Sequence, residues 1–148
     1  MGYLRSLLRA IVRGTAYGCA VVTFADVVGH PARVQGSSML PTLRGDVGDR
    51  DIVWLSTWDT TPVPGAIMTF TSPRDPRTVL IKRCTATEHG LVRRPDGEPF
   101  IIPEGQCWME SDNEANRNDS NVFGPVSEGL IHARATRIIW PLARWKTL

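Results

Sequence analysis

Leu4, Leu7, Leu8, Ile11 and Val12 recur at i, i+3, i+4, i+7 and i+8, a spacing that predicts a helix with one apolar stripe. Arg5, Arg9 and Arg13, four residues apart, form a basic stripe beside it, and no Asp or Glu precedes Asp26. An acid-free, arginine-bearing amphipathic helix is the pattern of mitochondrial targeting segments. A solvated basic helix packed on the domain is the alternative. From Gly14 to Ala25 the chain is apolar, and Val27 and Val28 extend the run past Asp26. A bilayer span needs about 20 apolar residues, so the segment is marginal. It crosses with Arg13 and Asp26 near the two interfaces, or lies in one leaflet. If it spans, the arginines stay on the matrix or cytoplasmic side and the rest of the chain lies across the membrane. A cleaved secretory signal is the competing reading, since small residues flank Cys19.

Beyond His30-Pro31 the pattern changes to short β-like runs: ARVQG, DIVWLS, AIMTFTS, TVLIKRCTAT, GLVRR, FIIP, QCWMES and IHARATRIIW. Turn signals separate them, including Pro64-Gly65, His89-Gly90, Pro95-Asp96-Gly97 and Pro103-Glu104-Gly105. The expected fold is mostly β: a compact antiparallel domain over residues 30–148, preceded by a basic, membrane-associated helical segment over residues 1–29. The polar stretch SDNEANRNDSN, residues 111–121, is either a flexible loop or one ordered by side-chain hydrogen bonds.

Composition adds exclusions. A chain of 148 residues fits one domain, and a formal net charge of +2 is too mild to indicate a nucleic-acid partner. Cys19, Cys84 and Cys107 are odd in number and lack CxxC spacing, which suggests neither a disulfide framework nor zinc. All three are expected to be buried free thiols. His30, His89 and His132 match no triad or metal spacing and read as structural or surface residues, so no cofactor or metal is implied. Trp54, Trp58, Trp140 and Trp145 suit either a lipid headgroup layer or ordinary core packing.

Candidate chemistry lies in VQGSSMLPTL, where Ser37 and Ser38 stand without a nearby histidine. In VLIKRCTAT, strand alternation puts Leu80, Lys82 and Cys84 on one face and Ile81 and Arg83 on the other. Lys82 thus points with apolar neighbours. A lysine at its ordinary pKa of about 10.4 is almost never neutral near physiological pH. Burial lowers that value by several units, and a serine served by such a lysine needs no histidine. A lysine that snorkels to the surface is the competing reading.

These stretches together resemble the type I signal peptidase family. GSSMLPTL is similar to the family's serine box, which implies Ser38 as nucleophile. VLIKRCTA is similar to its lysine box, which implies Lys82 as general base. SDNEANRNDSNVFGPVSEGLIHARA resembles the third box, usually Gly-Asp-Asn followed by Asp-Ser and Gly-Pro-Val. Within the family the likeness runs to its mitochondrial members, through Asp119-Ser120-Asn121, the C-terminal signature and the terminal Arg-Trp. Endoplasmic-reticulum relatives generally carry histidine at the lysine position. Bacterial relatives often insert a second β domain, for which Lys82 and Asp112 are too close together.

The resemblance implies peptide hydrolysis through an acyl-enzyme, with the Ser38 backbone N–H as one oxyanion donor. Bacterial members often add a serine hydroxyl two positions before the nucleophile; Gly36 stands there, with Ser37 the neighbouring hydroxyl. Asp112 and Asp119 are implied to organise the third-box loop by salt bridging, with Arg83 a partner for one carboxylate and Ser120 a support residue of the same box; Met39 alternates away from Ser38 and is expected to pack in the core. Two further departures are Ser111, in place of the first glycine of Gly-Asp-Asn, and Arg117, where the family often has a serine that bonds the lysine. Arg117 either depresses the Lys82 pKa by like-charge repulsion or pairs elsewhere in the loop.

The implied function is a membrane-bound endopeptidase, its catalytic domain facing the mitochondrial intermembrane space, that removes hydrophobic sorting peptides. Implied partners are preprotein substrates, inner-membrane lipid and a related protease subunit. Ser111, Gly36 and Arg117 motivate the alternative of a non-catalytic subunit stabilising a sister protease. A self-cleaving repressor-type peptidase also uses Ser and Lys, but no DNA-binding helix pair is present.

Overall fold

The structure, a computed structural model, describes residues 2–46, 48 and 50–148, apart from the side chains of residues 2–10 and 25. The apolar and basic stripes expected from Leu4, Arg5, Leu7, Leu8 and Arg9 therefore lie outside the described residues. Helix α1 runs from Gly2 to Val27, where the apolar periodicity places a helix. Its residues 11–24 are exposed, including Tyr17, Val21, Val22 and Phe24. Among the described residues no helix is long and apolar enough to cross a membrane. The helix meets the domain at its end, where the Thr57 hydroxyl donates to the Asp26 carbonyl at 2.8 Å.

The rest is mostly β. Strands β1 (His30–Arg33), β2 (Ile52–Ser56), β3 (Ile67–Thr71) and β4 (Val79–Ala86) precede a small hairpin of β5 (Leu91–Arg93) and β6 (Pro99–Ile101). Then come β7 (Gln106–Glu110), the one-turn helix α2 (Ser120–Phe123), β8 (Val126–Ser127), β9 (Ile131–Trp140) and β10 (Lys146–Thr147). The main sheet is antiparallel in the order β1-β2-β9-β3-β4-β7-β8, with β10 beside β9.

Both faces of β3 are covered, which explains why AIMTFT reads as a continuous apolar run rather than an alternating one. Ile67 joins a cluster with Val34, Met39, Leu43, Val53 and Ile138. Met68 and Phe70 join a second, with Cys84, Cys107, Met109 and Val126. Met39 is thus a core residue, as expected. The run ARVQG is displaced: β1 ends at Arg33, and Val34 begins a loop.

Cys84 and Cys107 are buried free thiols, but Cys19 is exposed, a correction with a simple cause. It sits on α1, along a stretch where the helix has nothing to pack on. Core packing also fails to account for Trp58, Trp140 and Trp145, all exposed, whereas Trp108 is buried.

Candidate active site

The loop after β1 is built against its own continuation. The Val34 N–H donates to the Asp51 carbonyl and the Gly36 N–H to the Gly45 carbonyl. A side chain on Gly45 would put a Cβ 2.2 Å from the Gly36 carbonyl oxygen, so only glycine permits this approach. Gly36 itself holds φ at +81°, a conformation that favours glycine over the serine of bacterial relatives. Past it the chain turns tightly, with Leu40 N–H to the Ser37 carbonyl and Leu43 N–H to the Met39 carbonyl. Val34 before Ser38 and Met39 after it are sunk in the core, which fixes the half-buried serine between them.

Lys82 lies opposite Met68 in the β3–β4 register and is 2% exposed. Its Nζ is 2.5 Å from Ser38 Oγ. Strand alternation therefore delivers the lysine inward, and the snorkelling alternative is not realised. Burial pushes the Lys82 pKa down to about 8, against the opposing pull of the Asp119 and Asp112 carboxylates.

The polar 111–121 stretch is ordered by side-chain hydrogen bonds and braces the serine loop. The Asn113 N–H donates to the Ser38 carbonyl, Asn113 Nδ2 to the Ser37 carbonyl at 2.9 Å, and Asn116 Nδ2 to Ser37 Oγ at 3.0 Å. The Ser37 hydroxyl is thus held by the loop. Arg83, on the opposite strand face from Lys82, grips Asp112 with both arms, Nε to Oδ1 at 2.8 Å and Nη2 to Oδ2 at 2.7 Å. Its Nη1 reaches the Gly65 carbonyl. Burial would raise the Asp112 pKa, but hydrogen bonds from Arg83 and Thr42 outweigh it and hold the carboxyl below its usual range.

Asp119 departs from the implied salt bridge. Its fully buried carboxylate accepts the Ser111 N–H at 2.9 Å and the Asn121 N–H at 3.0 Å, capping α2. Ser120 Oγ accepts the Met109 N–H at 2.9 Å, which ties the loop back to β7. Of the two alternatives for Arg117, pairing within the loop is the one realised: Arg117 meets Glu114 at 3.2 Å on the surface.

One brace escaped the sequence reading. Asp51, 0% exposed, accepts Arg144 Nε at 2.9 Å and Nη2 at 3.0 Å, and also the Arg44 N–H at 2.9 Å. Arg144 Nη2 further donates to the Thr42 carbonyl at 3.1 Å. The signal lay in the terminal Arg-Trp, which the sequence offered as a family signature without a partner.

A cleft of about 340 Å³ opens beside Ser38 and Lys82, with Val34, Val53, Leu55 and Ile81 among its walls. None of His30, His89 and His132 lines it; His132 Nε2 is 2.7 Å from Thr71 Oγ1 instead. β7 pairs with β4 from Arg83 onward, so residues 79–82 are paired to β3 on one side and border the cleft on the other.

No family profile matches the chain. Individual relatives do. It is similar to mitochondrial inner membrane protease subunit 2 of Mus musculus, with 39% identity over 153 residues covering 99% of this chain and 87% of the relative. Subunit 2 of Saccharomyces cerevisiae is 32% identical over 154 residues, 98% of this chain and 85% of the relative. Subunit 1 of Homo sapiens is 31% identical over 150 residues, 96% of this chain and 88% of the relative. Identity of this extent, over nearly the whole of each chain, assigns the protein to the mitochondrial inner membrane protease group of the type I signal peptidase family.

Proposed function

We propose that Ser38 is the nucleophile and Lys82 the general base of a membrane-bound endopeptidase that removes hydrophobic sorting peptides from preproteins reaching the mitochondrial intermembrane space. Membership of a protease family supports the activity, and the buried 2.5 Å approach of Lys82 Nζ to Ser38 Oγ carries the assignment. Lys82, neutral in a sizeable fraction once its pKa is about 8, takes the Ser38 proton as the hydroxyl oxygen attacks the scissile carbonyl. The Ser38 backbone N–H donates to the oxyanion. The ammonium then returns its proton to the leaving amine, and Lys82 next activates the water that frees the acyl group.

The cleft supports an extended substrate. A peptide laid along residues 79–82 adds a strand to the sheet, its main chain held by backbone groups and its apolar side chains received by Val34, Leu55 and Ile81. Arg83, Asp112, Asp119 and Ser120 hold the framework and Gly36 shapes the serine turn. Residues 1–29 are the membrane-associated segment and residues 30–148 the peptidase domain, a division supported by the exposed apolar residues of α1. A related protease subunit is the proposed partner.

Separate Ser38→Ala and Lys82→Ala variants, assayed for precursor processing in isolated inner membranes, test the assignment. Each is expected to lower processing by more than about a thousandfold, and a serine-directed covalent inhibitor is expected to leave its adduct on Ser38 by mass spectrometry. Intact processing in either variant overturns the reading.

A further inference from the structure

We propose that the Ser111 hydroxyl is the positioning group for Lys82, accepting one of its N–H bonds and so aiming the lysine lone pair at Ser38. The proposal rests on the Ser38–Lys82 assignment and deepens it.

A neutral amine has one lone pair and two N–H bonds. To take the serine proton the lone pair must face Ser38 Oγ, which requires the N–H bonds to find acceptors elsewhere. Three observations bring Ser111 to that role. First, the β4–β7 ladder ends with Arg83 opposite Glu110, so Ser111, the next residue after β7, lies at the position that faces Lys82 if the antiparallel register is extended by one step past the last paired residues. Directly opposed residues share a sheet face with Cβ atoms about 5 Å apart. The register shift between these strands falls between Cys84 and Ala86, beyond this pair.

Second, Ser111 Oγ is buried and has no hydrogen-bond partner among the described residues. A buried hydroxyl left so costs about 1–3 kcal/mol, and its acceptor lone pairs are available to an N–H on a neighbouring strand. Third, the Ser111 backbone N–H is fixed on Asp119 Oδ2, and the charge of that same carboxylate acts on Lys82. Meanwhile Arg117, at the place where relatives often carry a lysine-bonding serine, turns outward to Glu114. The hydroxyl has in effect moved from the loop to the strand end.

The charged groups around Lys82 are each held by contacts that do not involve this hydroxyl. Asp112 remains clasped by Arg83, Asp119 remains on its amides, and Glu110 remains bonded to Trp108 and Asn121.

The test is steady-state cleavage of a precursor peptide by the detergent-solubilised full-length chain, as kcat, KM and the pH profile of kcat/KM. Ser111→Ala and Ser111→Gly are expected to lower kcat about tenfold, equivalent to ~1.4 kcal/mol, with KM unchanged. Loss of an acceptor for the ammonium also moves the acidic limb of the profile to lower pH. Adding Arg117→Ser to Ser111→Gly is expected to restore both. Wild-type kcat and limb in both single variants overturn the proposal, as does a loss of kcat that tracks a lowered thermal midpoint with the limb unmoved. Lys82→Ala in the same assay separates the two readings. Turnover by that variant overturns the dyad itself, whereas its inactivity beside an unaffected Ser111→Ala overturns the positioning role alone.

Discussion

Keeping an amine out of water at Lys82 costs stability that a thioether in the same place does not. Its pKa in the folded protein is about 8, below the ordinary 10.5, so the unfolded chain holds the proton more tightly. The penalty is complete below about pH 8 and disappears as pH rises past 10.5. Lys82→Met is therefore expected to stabilise the protein by on the order of 2 kcal/mol at pH 7, with the gain vanishing above pH 10.5, as read by chemical denaturation across pH. Activity runs the other way. With Lys82 in the proposed role of base, the amine must be neutral, so kcat/KM is expected to climb about tenfold per pH unit below about 8 and to level above it. Ser38 and Lys82 were legible in the sequence because strand alternation is local and the boxes are distinctive. The direction of Arg117 was not, since it depends on the path of the loop.

Elements carry the second scale. The strands from Ile52 to Glu110 were legible to within a few residues, as was the ten-residue β9, because their runs are long and bounded by turns. β8 and β10, two residues each, and the one-turn α2 left no periodicity to read; each exists through its neighbours. The pairing of Asp51 with Arg144 was likewise hidden, since a contact between residues 93 apart has no local signature. Removing one partner of a buried ion pair leaves the other charge uncompensated. Arg144→Ala is accordingly expected to destabilise the domain by about 3 kcal/mol in urea unfolding. On the other side of the serine turn, Asp112→Asn weakens the clasp on Arg83 and is expected to reduce kcat more than KM.

At the scale of the whole molecule, α1 and the sheet are unequal in their dependence on each other. The exposed residues 11–24 of α1 give the sheet little to lose, while both apolar clusters are formed by residues beyond Pro31. A chain without residues 1–29 is expected to keep its cooperative thermal transition within a few degrees of the full chain. It is also expected to lose most, though not all, of its co-sedimentation with anionic phospholipid vesicles, a pair of outcomes read by circular dichroism and sedimentation. Exposed Trp58, Trp140 and Trp145 are expected to retain some of that binding. The division between helix and sheet was visible from the change of periodicity at His30, whereas the solvent-facing placement of Cys19 and of these tryptophans required knowing what packs beside them.

The Asp51–Arg144 clasp has a consequence for folding. On the far side of the serine turn the Thr42 carbonyl accepts from the Arg144 guanidinium and the Arg44 N–H donates to Asp51, the carboxylate that this guanidinium clasps, so the turn depends on a residue about a hundred positions further along the chain. A chain that ends before Arg144 contains Ser38 and Lys82 yet lacks the clasp that steadies the turn beside Ser38. The Thr42–Arg44 segment is therefore expected to be among the last parts of the domain to become rigid as the chain folds.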